Sequence, residues 1–476
     1  MALQTIQQIL APDNAPYING SAAQLRVSPA ILLNLYQGLV EKGGKGIDDN
    51  FVSAEAAEDS AQIQVHRILP VKMNPRQLGA SKNGGAYSQN QHFTQTETVS
   101  IKVLEVLDDP ILIPRYQTDM LPVDLVAKNI KIFSDRLATI LNGATLASKY
   151  LATYTSKSKG KAINETVLNL ADTTGLQIRN QFVVANGLLD EGDEDHGIDV
   201  FPRDTRVAVV KMSVGPALKT NGVLTLGGAN EVYRILKNAG INGDGVRVED
   251  DGYIGDIDGV EVRAISNESL GHGSLFLGLP RGELKASPFL GYIASSYANA
   301  RGVSTSKQTT VVPEVNGQGS RILPYVKFGV ASWYPLGNSM LVSEAIDLFK
   351  GLKTIFPSPL ADDILFDVKS AGSRLFPTFG TFTVAGTGFT IEAETIDDFN
   401  HDNVVGGYYL LTDAAITSVH AFVKAAVTAG YSAGNAITFT TGSATITDTI
   451  ANEKYVNVLV ISTDGSVSLI SKQYNA

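Results

Sequence analysis

Ala61-Gln-Ile-Gln-Val-His-Arg-Ile-Leu-Pro-Val-Lys72 and Glu97-Thr-Val-Ser-Ile-Lys-Val-Leu-Glu-Val106 decide how this chain is read. Ile63 and Val65 alternate with polar neighbours in the first stretch, as Val99, Ile101 and Val103 do in the second. That period of two marks half-buried strands. About two dozen residues rich in Asn, Gln, Ser and Gly separate them, and a structureless loop of that length is uncommon inside a compact domain. The two strands are therefore expected to form a long hairpin that projects from the body and finds its partners on another molecule. Lys82, Asn83, Gly84, Gly85, Tyr87 and Phe93, at the tip, are the candidate inter-subunit contacts.

A long helix is expected to follow, over residues 122–154. Pro122 suits the first helical position and Asp124 the first turn. Val126, Ile130, Phe133, Leu137, Leu141, Ala144, Ala147 and Leu151 fall on one apolar stripe roughly 120° wide. Lys128, Lys131, Asp135, Asn142 and Lys149 fall off it, and Gly143 weakens the helix locally. At 1.5 Å per residue such a helix spans about 50 Å, more than the width of a small domain.

Further elements flank this unit. A short helix is expected over 28–39, strands over 207–214, 260–265, 274–278 and 322–333, and a helix over 230–238 stopped by Gly240. Asp256-Ile-Asp-Gly259 reads as a turn, and Pro324 must sit near a strand start or an edge. Composition shifts at Phe356-Pro-Ser-Pro359, beyond which Gly, Thr, Ser and Val dominate. There, 381–384, 389–391 and 436–440 alternate like strands, and 458–470 is a hairpin turning at Asp464-Gly465. Residues 414–429 fit a helix or two short strands equally.

Composition narrows the function classes. Hydrophobic residues make up 44% of the 476, while charged residues make up 18%, below the roughly 25% of a typical soluble domain. Neutral surface buried against partners and a Gly/Thr/Ser-rich β protein both explain that deficit. Without cysteine there is no disulfide, thiolate metal site or thiol nucleophile. The opening Met-Ala-Leu-Gln-Thr-Ile lacks the basic-then-apolar pattern of a secretory signal, and no run of 18 apolar residues exists to span a membrane. The segment from Pro357 onward holds 12 Asp/Glu against 5 Lys/Arg, a net −7 of the chain's −10. Overall acidity argues against tight nucleic-acid binding through phosphate neutralisation.

Catalytic and metal patterns are weak. Gly430-Tyr-Ser-Ala-Gly434 matches the hydrolase elbow, but no His follows Ser432, and the elbow needs one. Residues 190–199 hold Asp190, Asp193 and Asp195 among seven ligand-capable side chains. Calcium favours such oxygen clusters, yet EF-hand spacing is missing, so a solvated acidic loop is the plainer reading. The turns at 242–245 and 249–252 carry turn chemistry before metal chemistry, and no phosphate-binding glycine motif is present. Lys157-Ser-Lys-Gly-Lys161 reads as a solvated helix end. No catalytic residue and no cofactor is expected.

The order of arm, projecting hairpin, long helix, α+β lobe and closing strand resembles the major capsid protein of tailed double-stranded DNA phages, the Hong Kong 97 fold. The resemblance covers about residues 1–356. It implies an N-terminal arm (1–60), an extended hairpin loop (61–118), a peripheral domain with the spine helix (119–204), an axial domain (205–320) and a return strand (321–356). An acidic, β-rich domain (357–476) is appended to this α+β core, and is expected on the outer face. The resemblance further implies self-assembly into pentamers and hexamers of an icosahedral or prolate head. Scaffolding, portal and decoration proteins would be partners, with non-specific contact to packaged DNA and no membrane. The location implied is the virion shell, assembled in the host cytoplasm. With no charged helical segment before the arm, a separate scaffolding protein is expected. Some members crosslink a hairpin Lys to a neighbour's Asn; Lys72 and Lys82 are available here, but no catalytic acid is identifiable. The competing readings are an encapsulin-like shell, a virion decoration or adhesion protein, and a metal-dependent hydrolase using the 190–199 acids.

Overall fold

The computed structural model describes residues 125–158, 165–220, 253–304, 319–357 and 374–475, with strands at 25–26, 51–53, 62–68, 96–107, 111–114 and 310–313; residues 103, 173, 194–197, 324, 333, 346–347 and 396–402 are excepted. The expected helices at 28–39 and 230–238, the turns at 242–245 and 249–252, the hairpin tip and Asp195 lie outside the described residues.

The chain opens with strands β1 (Leu25–Arg26), β2 (Phe51–Ser53), β3 (Gln62–Ile68), β4 (Thr96–Lys102), β5 (Leu104–Leu107) and β6 (Ile111–Pro114). Helix α1 (Leu125–Ser158), strand β7 (Glu165–Val167), helix α2 (Leu176–Gly187), strand β8 (Arg206–Lys211) and helix α3 (Val214–Thr220) follow. Then come β9 (Tyr253–Ile257), β10 (Val260–Ile265), α4 (Asn267–Phe276), α5 (Glu283–Ala286), β11 (Phe289–Ser295) and β12 (Asn299–Ser304). Strands β13 (Thr310–Pro313), β14 (Gly319–Leu323), β15 (Tyr325–Ser332) and β16 (Asn338–Val342) lead to α6 (Leu348–Ile355). The C-terminal part comprises β17 (Pro377–Ala385), β18 (Gly388–Thr395), β19 (Val404–Thr412), α7 (Val419–Thr428), β20 (Ala436–Ile437), β21 (Ser443–Thr447), β22 (Tyr455–Ser462) and β23 (Val467–Gln473).

A mixed sheet of order β7-β16-β11-β8-β10-β9 forms the middle of the molecule. Strands β8 and β10 run parallel, as do β16 and β7; the other neighbours are antiparallel. Every residue of β8 is buried, because both faces of the sheet are covered. Val207 and Val209 face a cluster with Phe133, Leu137, Leu141, Tyr150 and Leu270 of α1 and α4. Ala208 and Val210 face the other cluster, with Ile178 and Phe182 of α2 and Val214 of α3. The β9–β10 turn places Asp258 (φ 52°) and Gly259 (φ 75°) in the left-handed region, the conformation that a two-residue hairpin turn requires.

Helix α1 begins at Leu125 and runs 34 residues, about 50 Å. Its burial corrects the single-stripe expectation. From Leu141 to Ala152 every residue is buried, including Asn142 and Lys149, because α4 covers one side and β15 and β16 cover another. Lys149 rests its ammonium over the Tyr292 ring, 4.5 Å from the centroid. Gly143 is a contact point: a Cβ there would sit 2.8 Å from the Gly273 nitrogen and from the Ser269 carbonyl oxygen. Backbone cannot yield as a side chain can. Gly143→Ala is therefore expected to lower stability by about 1–3 kcal/mol. Gly187→Ala, where nothing stands within 4 Å and φ is −63°, is expected to be neutral or to gain up to about 1 kcal/mol. Urea unfolding of the two variants checks the contrast.

The strand expected at 274–278 is instead the last turn of α4 and its exit. Ser266 caps the helix by accepting from the Ser269 amide, at 3.1 Å, and Glu268 sits in the first turn. Gly278 (φ 74°) ends it, with the Leu279 amide donating to the Ser274 carbonyl. The single strand expected at 322–333 is two strands, β14 and β15, in different sheets, β1-β13-β14-β6 and β2-β12-β15-β5. Of residues 414–429, Val419–Thr428 form α7 with Ser418 as its cap, and the hairpin over 458–470 is β22–β23 with Gly465 at φ 81°.

The C-terminal strands form two stacked sheets, β17-β18-β21 and β20-β19-β22-β23. Phe382, Phe389, Ile391, Tyr409, Val456, Val458 and Val460 fill the space between them. The outer face of the second sheet is covered too. Tyr408, Leu410, Leu459 and Ile461 pack with Val419 and Phe422 of α7 and join the cluster holding Phe349 and Leu352 of α6. Residues on both sides of position 356 thus share one apolar core. Among the described residues, no helix is long and apolar enough to cross a membrane.

Candidate assembly elements

The hairpin foreseen at 61–106 is present in its stem. Strands β3 and β4 pair antiparallel with Val65 opposite Val99 and Ile63 opposite Ile101. Among the described residues, β3 and β4 ladder with each other alone. After β4, strand β5 turns into the sheet β2-β12-β15-β5, pairing Leu107 with Tyr325. The ribbon is therefore rooted in a sheet whose strand β15 packs on α1. The tip residues Lys82, Asn83, Gly84, Gly85, Tyr87 and Phe93 lie outside the described residues.

The acidic loop is organised by arginine. Arg206, fully buried at the mouth of β8, donates to the Phe201 carbonyl (2.6 Å), the Asn186 carbonyl (2.9 Å), the Asn186 side chain (2.7 Å) and Asp190 (2.6 Å). Arg203 takes the other Asp190 oxygen at 2.7 Å. Hydrogen bonding to Arg203, then Arg206, holds the Asp190 carboxyl below its usual range. Asp193 is buried and exchanges backbone hydrogen bonds with Ile198. The described part of this loop is thus a folded corner of the body, with Asp190 committed to two guanidinium groups. Among the described residues, no group of three His, Cys, Asp or Glu is placed to hold a metal ion. Arg206→Ala would leave two carbonyls, an amide and a carboxylate without their buried donor. The expected cost is about 3–5 kcal/mol, measured by urea unfolding, with Arg206→Lys recovering part of it.

Body and C-terminal part are joined by charged and polar clasps that no motif announced. Glu283 of α5 accepts from the Val419 and His420 amides at 2.7 and 2.8 Å, closing the N-terminus of α7 from 136 residues away. A carboxylate there meets both orphan amides and the positive end of the helix dipole. Burial pushes the Glu283 pKa up, and the two amides pull it back. Glu344 accepts from Lys424 (2.7 Å) and pairs with His420 (3.1 Å). Arg374 donates to the Phe276 carbonyl and to the Asp464 carbonyl, while the Val467 amide donates to the Gly278 carbonyl.

Lys211 sits beside this clasp. Its ammonium donates to the Lys285 and Ser287 carbonyls at 3.1 and 2.9 Å. Burial lowers its pKa from 10.5 to about 8, an effect that Glu283 partly offsets. Between those two values the unfolded chain holds a proton that the native chain has shed. Native stability from this group therefore rises with pH across the window. Lys211→Met, which has no charge to bury, is expected to gain on the wild type most below pH 8. That gain is expected to shrink towards pH 10.5, which paired urea titrations at several pH values would show.

The elbow-like Gly430–Gly434 stretch is a helix exit. Gly430 (φ 73°) ends α7, and Ser432 caps a short 3-10 turn, its hydroxyl accepting from the Gly434 amide at 3.3 Å. The nearest histidine in sequence, His420, is held by Glu344. Among the described residues, no nucleophile–base pair forms there.

No family model matches the chain, and no curated protein matches it. Similar solved structures exist. One is the capsid of Ralstonia phage GP4, at 14% identity and TM-score 0.39, covering 64% of this chain and 92% of that one. A second is the capsid of the cyanophage P-SCSP1u, at 13% identity and TM-score 0.35, covering 64% and 97%. A third is the mature capsid of bacteriophage PhiM1, at 12% identity and TM-score 0.35, covering 62% and 84%. The chain, an α+β fold, is thus similar in structure to proteins of phage capsids.

Proposed function

We propose that this chain is a shell-forming subunit of a phage head, building pentamers and hexamers around packaged DNA. The observation that carries the reading is the β3–β4 ribbon, seven residues per strand, whose ladder has no third strand among the described residues. Unpaired strand edges invite pairing with another chain, and a shell uses that hazard as its bond. The ribbon is rooted on a sheet braced by a helix of about 50 Å, a lever suited to holding a projecting element rigid. The chemistry is structural, with no catalytic step; Asp190, Glu283 and Glu344 are taken up by ion pairs and a helix end. The partners are other copies of the chain, with scaffolding, portal and decoration proteins and non-specific contact to DNA. The site of action is the virion shell, assembled in the host cytoplasm. Residues 357–476, net −7, face outward, away from the packaged polyanion. Negative-stain electron microscopy and light scattering on the protein, alone and with its phage's scaffolding protein, test this. Closed particles, tubes or capsomer rings are expected. A monomer under every condition, scaffold included, would overturn it.

A further inference from the structure

The chain crosses between two sheets twice, side by side. Strand β11 ends in the central sheet at Ser295, and β12 begins in the sheet β2-β12-β15-β5 at Asn299. Strand β15 ends in that second sheet at Ser332, and β16 begins in the central one at Asn338. The crossings are neighbours at both ends: Ala294 pairs with Asn338, and Asn299 pairs with Ser332. They also touch in between. A Cβ at Gly337 would lie 2.2 Å from the Ala298 methyl, and the Tyr297 ring of one crossing stacks on the Tyr334 ring of the other at 6.3 Å and 20°.

A single buried amide joins all four strand ends. The Asn299 side chain donates to the Ser295 carbonyl at 2.8 Å and to the Asn338 side-chain oxygen at 3.0 Å, and accepts from the Ser332 hydroxyl at 2.8 Å. The bonds continue outward. The Ser332 hydroxyl meets that of Ser148 on α1 at 3.2 Å, and the Ser295 hydroxyl meets that of Thr205, just before β8, at 2.7 Å. An apolar side chain would fill this space in many orientations; a buried amide keeps its bonds in one. The second sheet also carries β5, where Leu104 pairs with Phe328 directly after the ribbon strand β4. Its angle to the body is therefore the angle at which the ribbon leaves. We infer that Asn299 is the positioning residue of the ribbon, its amide locking the sheet that carries the ribbon at one angle to the body. The use made of that direction rests on the reading of the chain as a shell subunit; the lock itself lies inside one chain.

The chain has no cysteine, so two introduced ones carry spin labels without background. Labels at Thr96→Cys, at the far end of the described stem, and Arg179→Cys, exposed on α2, report the ribbon-to-body distance. Labels at Arg179→Cys and Lys285→Cys report the body alone. Both are read by pulsed electron paramagnetic resonance on the full chain diluted in unlabelled copies. Seven residues per strand span about 23 Å, so about 10° of freedom at the joint moves the far end by about 4 Å. Asn299→Ala and Asn299→Leu are expected to shift or broaden the ribbon-to-body distance by about that much and to leave the body distance unchanged. Val458→Ala, a buried change between the two C-terminal sheets, is expected to move neither, which separates positioning from a general loss of stability. Ser332→Thr, which keeps the hydroxyl, is expected to give the wild-type distances. A ribbon-to-body distance unchanged in both Asn299 variants overturns the inference, and so does an equal shift in Val458→Ala. Where the Asn299 variants fail to fold, Ser332→Ala deletes one bond alone: a smaller shift is expected, and none overturns the inference. Intact wild type that forms no particle under any condition sinks the shell reading alone, because the joint is judged by distances within one chain.

Discussion

A chain ending at residue 356 is expected not to fold. Removing residues 357–476 strips Tyr408, Leu410, Phe422, Val423, Leu459 and Ile461 from the cluster that also holds Phe349, Leu352 and Ile355 of α6. Each large apolar side chain uncovered costs about 1.5–3 kcal/mol, and three on one short helix already approach the 5–15 kcal/mol that holds a typical domain folded. Glu283, 3% exposed, would lose the two amides that stabilise its charge. The Phe276 and Gly278 carbonyls would lose Arg374 and Val467. The measurement is expression of the truncated chain followed by near-UV circular dichroism and a dye that reports exposed apolar surface. Insoluble protein, or soluble protein with dye binding and no cooperative melt, is the expected result. A soluble fragment with a sharp transition would show that the shared cluster is dispensable.

Deleting residues 76–93 is expected to do the opposite: to leave the fold intact and abolish the shell. The described ribbon stem ends at Ile68 and resumes at Thr96, so the deletion spares every residue pair of the β3–β4 ladder. It also spares both apolar clusters around the central sheet. A shortened loop changes closure entropy only slowly with length, so the stem is expected to persist. What is lost, on the proposed function, is the part of the hairpin that reaches a neighbour, and with it a contact repeated at every subunit. Urea unfolding should match the intact chain, while electron microscopy should show no closed particles. Normal-sized shells from the shortened chain would refute the role given to the hairpin.

Local periodicity was enough for several elements. The presence of β3 and β4 follows from two alternating stretches, and turning at Asp258-Gly259 and Asp464-Gly465 follows from turn chemistry. Helix α1 was legible within a few residues at each end, because apolar residues three and four apart on a helix need one stripe of cover. Where reading failed, the deciding contact was distant. Residues 274–278 carry a short Leu-Phe-Leu run that fits strand and helix alike. The choice fell to the Ser266 cap and to the crossing of Gly273 over Gly143, 130 positions away in the chain.

The candidate assembly elements divide in the same way. The ribbon stem was visible in sequence, because strand alternation is a local property. Arg206, Glu283, Glu344 and Arg374 were not, since a lone charged residue announces nothing until the fold shows which carbonyl or helix end it meets. Asn142 and Lys149 of α1 looked solvent-facing for the same reason, and elements from other parts of the chain bury them. The sequence by itself determined the ribbon stem, the long helix, the tight turns and the lack of thiol chemistry, all set by backbone sterics and residue type over a few positions. Only the tertiary structure decided that α1 is enclosed on several sides, that α7 is a helix docked on Glu283, and that the segment beyond 356 shares a core with the body. Those outcomes depend on burial and charge pairing between residues up to hundreds of positions apart, which no local period encodes.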